Sequence, residues 1–480
     1  MAGMSAPEIA VEAVELFEWP YRLRLPFRFG VITVTHGRQA VARVRIRTAD
    51  GRSGWGWAAE ALGAKWFDKD PALTDAQNLE QLRAALEIAV GLYTASRPRT
   101  PFRMWADHHA DQLAEGARRR LPPLVASYGP AMLDRAVADA LCRLAGVSFY
   151  DAVRGDLLGI GPHPVAGDLD GFAFAPFLEG LSPGERIHVR HTVGLVDPII
   201  AADQAAGTRV EDGLPETLEE VVAAYGHRYY KLKVGGNVAE DVDRLARIAA
   251  VLDTQPHRYL VSLDGNEQYA DADAVVALWQ AMAAEKRLAR LVDSILYVEQ
   301  PIKRQNALAA PVAALARHRP VIIDESDGDL TAFPTAKALG YRGVSSKNCK
   351  GFYKSILNLA RCRMWNAAEG EGRYFMSAED LTTQAGVSVQ QDLALVNLLG
   401  LGHVERNGHH FIDGFAGRPE SEAASFLAAH PDLYHLQNGR PRMRIVAGEA
   451  AIGSLACPGF AIGATPDVAA MQPMARADWK

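Results

Sequence analysis

Much of what would mark a secreted, membrane-bound or nucleic-acid-binding protein is missing from this chain of 480 residues. Its four cysteines, Cys142, Cys349, Cys362 and Cys457, are too few and too scattered for a disulfide framework or a CxxC metal site. They read as reduced thiols in a cytoplasmic setting. No stretch approaches the ~18 uninterrupted apolar residues a spanning helix needs, so no membrane partner is expected. The opening residues 1–20 carry acidic side chains and lack a basic start followed by an apolar run, which argues against a secretory signal. A formal net charge of -6 leaves no broad basic surface for nucleic acid. No GxGxxG turn follows an early apolar run, which weakens a dinucleotide-binding reading. What is present is an ordinary globular balance, 49% hydrophobic and 22% charged. The length suits two or three domains, or one large barrel with a companion.

Along the chain the first part reads as an α+β unit. Residues 31–48 alternate apolar and polar side chains in two runs, as half-buried antiparallel strands do. The turn Ala49-Asp50-Gly51 then leads into Gly54-Trp55-Gly56-Trp57. Helical periodicity covers residues 75–96 and 130–144, with a basic stretch at Arg118-Arg119-Arg120 read as a helix end or loop. From about residue 187 short apolar runs alternate with helical patterns. The expected strands are 187–192, 229–234, 259–264, 295–299, 321–324, 344–347 and 374–378; helices are expected at 238–252, 271–284 and 307–316. Alternation repeated this often predicts a parallel sheet with crossover helices, and at least six units favour a closed (β/α) barrel over an open sheet. The domain reading is 1–155 for the α+β unit, 156–430 for the barrel and 431–480 for a segment packing back on the first unit.

In a parallel barrel the C-terminal ends of the strands converge on one mouth. Here three successive strands end in carboxylates: Asp264 in LDGN, Glu299 in VEQP and Asp324 in IDES. Carboxylates aimed at one centre repel one another unless a cation sits among them. Oxygen donors without His or Cys select Mg²⁺, with Mn²⁺ or Ca²⁺ behind it. A lone strand-end Asp is as often a helix cap or an ion-pair partner; three in consecutive strands are not. Lys231 and Lys233, two apart on a strand, point to the same side, and Lys347 approaches from the sixth strand. A lysine in a barrel core is costly unless paired or functional. Beside a cation and a second ammonium its pKa is expected to fall far enough for it to act as a base.

These residues resemble the enolase superfamily, and within it the muconate lactonizing enzyme subgroup of the mandelate racemase/muconate lactonizing enzyme family. Lys231-Leu232-Lys233 looks like that subgroup's KxK motif; Asp264, Glu299 and Asp324 look like its metal ligands; Lys347 looks like its sixth-strand lysine. Residues 134–140 are similar to the helix joining cap to barrel, and Gly54-Trp55-Gly56 to the capping domain. The resemblance implies a modified TIM barrel of (β/α)7β type with an N-terminal α+β cap, a small-molecule carboxylate substrate and a homo-oligomer. It also implies Mg²⁺-dependent removal of the proton next to the carboxylate, through an enediolate. Lys233 and Lys347 would act on opposite faces, with Lys231 alongside, as racemisation or epimerisation requires. β-Elimination by a dehydratase or cycloisomerase-type lyase starts from the same proton abstraction, and a non-catalytic anion-binding protein on this scaffold is a third reading. The sequence departs from the subgroup in Asp-Gly-Asn on the third strand, a more polar sixth strand, and insertions near 100–123 and 194–219 expected to line or cover the site.

Further candidates surround the mouth. Asn266 and Glu325 adjoin the presumed ligands. Trp66 and Phe67 fall where a cap loop would cover the barrel, with ordinary cap packing equally compatible. Glu379 and Asp380 follow the seventh strand and could bind a polar part of the substrate or cap the next helix. His403, His409 and His410 fall near the expected eighth strand and read as surface or loop histidines.

Overall fold

The computed structural model describes residues 6–30 and 32–479. Val31, where the first expected strand begins, lies outside the described residues, as do residues 1–5 of the opening segment.

Three long antiparallel strands, β1 (Ile9–Phe29), β2 (Ile32–Thr48) and β3 (Ser53–Ala61), lie in that order in the first sheet, which a short fourth strand from the tail completes at the β1 edge. The alternation after residue 31 belongs to one 17-residue strand rather than two. The 21-residue strand before it was not anticipated. Pro20, Pro26 and the acidic residues of β1 hide its period. Cross-strand pairs supply what the pattern conceals: Glu15 lies 3.1 Å from Arg43, and Glu12 bridges Arg45 and Arg47. Register shifts between Val11 and Ala13 and between Arg22 and Phe27 absorb the irregular residues as bulges.

Helices Asp75–Ala95, Pro101–Arg118 and Tyr128–Ala145 cover this sheet. The first starts at a capping box in which Thr74 and Gln77 bond each other's backbone N–H. The third lies so close to β3 that a Cβ on Gly56 would stand 2.1 Å from the Ala136 carbonyl oxygen, so only glycine fits. The expected insertion at 100–123 is mostly the middle helix. It buries Phe102, Met104 and Trp105 and sets Phe102 and Trp105 each 5.4 Å from the Tyr353 ring, so it braces cap against barrel rather than lining the mouth.

Eight parallel strands follow: β4 (Arg186–Val193), β5 (Tyr229–Lys233), β6 (Leu260–Asp264), β7 (Ile295–Glu299), β8 (Val321–Ile323), β9 (Gly343–Ser346), β10 (Phe375–Ala378) and β11 (His403–Glu405). Their hydrogen-bonded order is β10-β9-β8-β7-β6-β5-β4-β11, so the sheet curls until the last strand returns beside the first. This is the α/β barrel with an antiparallel N-terminal sheet that the alternation predicts. The seven expected strands all appear within a residue or two, and helix Val238–Leu252 matches its expected bounds. The helix expected over 307–316 is instead two single turns, Arg304–Ala307 and Ala313–Ala316. Pro311 between them has no N–H to continue a helix.

The tail ties both units together. Residues Glu449–Ala451 add an antiparallel strand to β4, and Gln472–Pro473 pairs with Phe17 and Glu18 of β1. Phe460 stacks on Phe149 at 3.6 Å, and the Trp479 indole N–H donates to the Arg119 carbonyl at 2.7 Å. Among the described residues no helix is long and apolar enough to cross a membrane.

Candidate active site

Period-two alternation sends Lys231 and Lys233 of β5 to one face while Tyr230 and Leu232 pack on the other, and all four side chains are buried. At the centre, Lys231 Nζ lies 2.8 Å from Asp264, 2.8 Å from Glu299, 3.0 Å from Glu379 and 2.7 Å from Glu405. Lys233 donates to Asp264 Oδ2 at 2.5 Å. From β9's end Lys347 donates to Asp324 Oδ2 at 2.7 Å and reaches Glu379 at 2.8 Å. The chain of contacts Lys233–Asp264–Lys231–Glu379–Lys347 thus joins the ends of β5, β6, β10 and β9.

The carboxylate grouping differs from the sequence expectation in one respect. Among the described residues, Glu299, Asp324 and Glu379 form a trio whose donor oxygens lie within 4.8 Å of one another. Glu379, expected to touch substrate, thus lies where it could also hold a cation, while Asp264 contacts the two β5 lysines. The eighth strand adds Glu405, which sequence reasoning missed. Its strand is three residues long and has no apolar run to announce it.

The residues suit a hard divalent cation. The donors are all carboxylate oxygens, and buried Glu299 Oε2 and Glu379 Oε1 have no hydrogen-bond partner. Burial, and then the neighbouring Glu379 charge, push the Glu299 carboxyl well above the usual carboxylate range. Asp324 goes the other way: Lys347, Lys350 and Lys231 overcome the effect of burial and hold it well below. The expected lowering of the lysines depends on a cation beside them; in the protein alone two of them are shifted up. Burial lowers Lys231 and Lys347, but the carboxylates around each outweigh it and raise both.

A supporting layer holds these groups. Lys350 donates to the Ser345 carbonyl at 2.5 Å and lies 3.3 Å from Asp324 Oδ1, and Ser345 donates its hydroxyl to the same carboxylate. Arg190 of β4 crosses the interior to the Ala378 carbonyl at 3.0 Å and stands 3.7 Å from Glu379. Thr192 donates to Glu405, which also accepts from Asn407 at 2.8 Å. The buried Arg190 carries no motif that a single sequence could display.

The other expected positions divide. Trp66 is buried with its ring 4.3 Å from Lys347 Nζ, so the cap loop does reach the mouth. Phe67 turns into the cap and meets Tyr128 edge-on at 5.3 Å. Asn266 donates to Glu325 at 3.3 Å; Lys69 from the cap reaches Glu325 at 3.1 Å and Glu267 at 2.6 Å. Asp380 is spent on Arg406 at 2.9 Å and on the N–H groups of Thr382 and Asn407, so it fastens the loop after β10 to the end of β11. The inserted segment 194–219 lies beside β4's end, where Asp212 pairs with Arg24 of β1 at 2.6 Å.

Residues 213–365 match the family described as enolase C-terminal domain-like. No curated protein sequence matches the chain. Among solved structures, the chain is similar to muconate lactonizing enzyme from Pseudomonas fluorescens complexed with muconolactone, at 16% identity and TM-score 0.58, covering 97% of this chain and 98% of that one. It is also similar to 2-chloromuconate cycloisomerase from Rhodococcus opacus 1CP, at 18% identity, TM-score 0.57, and 96% and 98% coverage. A third is the dipeptide epimerase from Enterococcus faecalis V583 complexed with Mg and the dipeptide L-Leu-L-Tyr, at 15% identity, TM-score 0.55, and 92% and 99% coverage. Residues 213–365 thus match the enolase C-terminal domain-like family, and the chain as a whole shares the fold of these three solved structures.

Proposed function

We propose that this protein abstracts the proton next to the carboxylate of a small-molecule substrate and delivers another proton to the opposite face, a racemisation or epimerisation. The observation that carries the reading is the buried run of lysine–carboxylate contacts from Lys233 through Lys231 to Lys347, with lysines at both ends and a cation-ready carboxylate group between. Neighbours of the same fold include a dipeptide epimerase and two muconate-processing enzymes, which supports an isomerase or lyase.

Mg²⁺ would be held by Glu299 and Asp324 with Asp264 or Glu379, Mn²⁺ being the alternative, and would stabilise the negative charge that grows on the substrate carboxylate as the α-proton leaves. Lys233 Nζ takes that proton, the C–H electron pair staying on carbon. Lys347 Nζ supplies a proton to the other face, forming the new C–H bond and leaving a neutral amine. Lys231 keeps its charge among four carboxylates and fixes their spacing. The Trp66 ring beside Lys347 excludes water from that face.

The test is solvent deuterium. The protein with Mg²⁺ in D₂O is incubated with dipeptides, amino-acid derivatives and acid sugars, and mass spectrometry reads gain at the α-carbon or loss of water. Metal-dependent gain with inverted configuration is expected. Lys233→Ala and Lys347→Ala should each abolish inversion, and each should remove exchange from one enantiomer. Loss of water in place of inversion would assign the protein to β-elimination. Metal binding without exchange of any carboxylate would assign it to anion binding.

A further inference from the structure

A second cluster of titratable side chains lies behind the barrel wall, on the opposite face of β4 from the lysines. In β4, Arg190 and Thr192 point inward to Glu379 and Glu405. Period two therefore turns His191 outward, and it is buried there at 3% exposure. His227, two residues before β5, is fully buried beside it, with the two rings stacked at 5.4 Å. His409 comes from the turn after β11, its ring 6.0 Å from His191 and 5.9 Å from His227. Two of the three histidines that read as surface or loop residues thus turn toward this group: His409 is half-buried, and His410 is buried 4.9 Å from His191.

Three features separate this group from ordinary packing. One ring nitrogen of each histidine lies within 4.8 Å of the other two. The His227 Nδ1 donates to the Val189 carbonyl at 3.0 Å, which fixes the tautomer and leaves Nε2 as a bare lone pair. That Nε2, His191 Nδ1 and both nitrogens of His409 are buried without a hydrogen-bond partner. Unpaired buried polar atoms are costly, and several directed at one point ask for a common ligand.

We propose that His191, His227 and His409 form a site for a transition-metal cation of the zinc class, distinct from the carboxylate cluster. Imidazole nitrogens select Zn²⁺, Cu²⁺ or Ni²⁺, whereas Mg²⁺ needs oxygen donors, which this cluster lacks. Bonds of about 2.0–2.1 Å to zinc would draw the three rings together, leaving a fourth position for water or for His410. Burial first, and then mutual repulsion among the histidines, hold His191 and His409 well below the usual histidine range; burial holds His227 at about 4. The lone pairs are therefore available at neutral pH. The charged groups facing the cluster are Arg406, Arg24 and Asp212, the last two paired with each other. Because the ligands come from β4, the entry to β5 and the exit of β11, the ion would staple the three strands at which the barrel closes.

Cobalt(II) is the probe. The full-length protein, stripped with chelator and returned to excess Mg²⁺, is titrated with Co²⁺ and followed in the visible spectrum. A single equivalent should give the intense bands of four- or five-coordinate cobalt with nitrogen ligands and raise the melting temperature. Those bands should survive Asp324→Asn, which removes a candidate Mg²⁺ ligand, and vanish in His227→Gln. Weak octahedral bands alone in the wild type, or bands lost with Asp324→Asn and kept in His227→Gln, would overturn the proposal. Should His227→Gln not fold, X-ray absorption of the zinc-loaded wild type decides: imidazole scattering supports the site, and an oxygen-only shell overturns it.

Discussion

Glu299 carries the sharpest conflict at the scale of single residues. It is fully buried, its Oε2 has no partner, and the Glu379 charge adds to the effect of burial in raising its pKa. Lys231 relieves part of this at 2.8 Å but is shared with three other carboxylates. Two such acids kept side by side in the protein alone are a cost, and a divalent cation converts the cost into binding energy. Glu299→Gln imitates the protonated acid that burial and Glu379 favour, and nearly preserves shape. The variant without metal should therefore melt at the wild-type temperature or above it. In the wild type, Mg²⁺ at a hundredfold excess over its Kd should add about 2.7 kcal/mol of stability; in Glu299→Gln most of that gain should disappear. Melting scans with and without Mg²⁺ check both, and an undiminished metal response in the variant would remove Glu299 from the ligand set.

Between elements, the junction of β3, helix Tyr128–Ala145 and helix Val387–Leu398 contains a buried charge network. Arg135 bonds Glu60 at 3.3 Å and the Ala59 carbonyl at 3.1 Å, and Gln391 donates to the Trp57 carbonyl at 2.8 Å. Burial, then the Asp392 charge, push Glu60 up to about 8 against the pull of Arg135. Its folded pKa thus exceeds its unfolded one, so between about pH 5 and about pH 8 the folded state keeps a proton that the unfolded state has lost. Stability from this group falls as pH rises through that window, by up to about 1.4 kcal/mol per pH unit. Glu60→Gln has nothing to lose there. Its melting temperature relative to wild type should climb from pH 5 to pH 8 and then level off; a flat difference would mean Glu60 is ionised throughout. Such junctions were also the limit of what sequence could foretell. Strands of the barrel were legible because apolar runs bounded by turn residues repeat, and Asp264, Glu299 and Asp324 because each follows such a run. β1 was hidden because its faces are specified by cross-strand pairs and bulges rather than by alternation. Glu405, Arg190 and the outward-facing His191 were hidden because their roles depend on which strand lies beside which.

For the molecule as a whole, the question is what couples the cap to the barrel mouth. The helix Pro101–Arg118 and the tail strand at Gln472–Pro473 fasten the two units at a distance from the lysines. At Lys347 the cap's contact is made by Trp66, in the segment running to Lys69, and Arg304 grips that segment. The Arg304 guanidinium donates to the Phe67 carbonyl at 2.6 Å and the Trp66 carbonyl at 3.0 Å, while Glu267 holds its other edge at 2.7 Å. Since Trp66 lies over Lys347, Arg304 acts on that lysine through the loop and is a positioning residue. Arg304→Ala should leave the barrel folded and Mg²⁺ affinity unchanged, because Arg304 touches none of Glu299, Asp324 or Glu379. It should slow deuterium exchange by about tenfold to a hundredfold, the scale of a misplacement near 1 Å. The loss should fall more heavily on the enantiomer served by Lys347 than on the one served by Lys233, a difference that general loosening would not produce. Arg304→Lys, which cannot span both carbonyls and Glu267 with its single ammonium, should recover little. Equal slowing of both enantiomers would show that the loop shields the whole mouth rather than orienting one lysine, and unchanged exchange would detach the cap loop from the chemistry altogether.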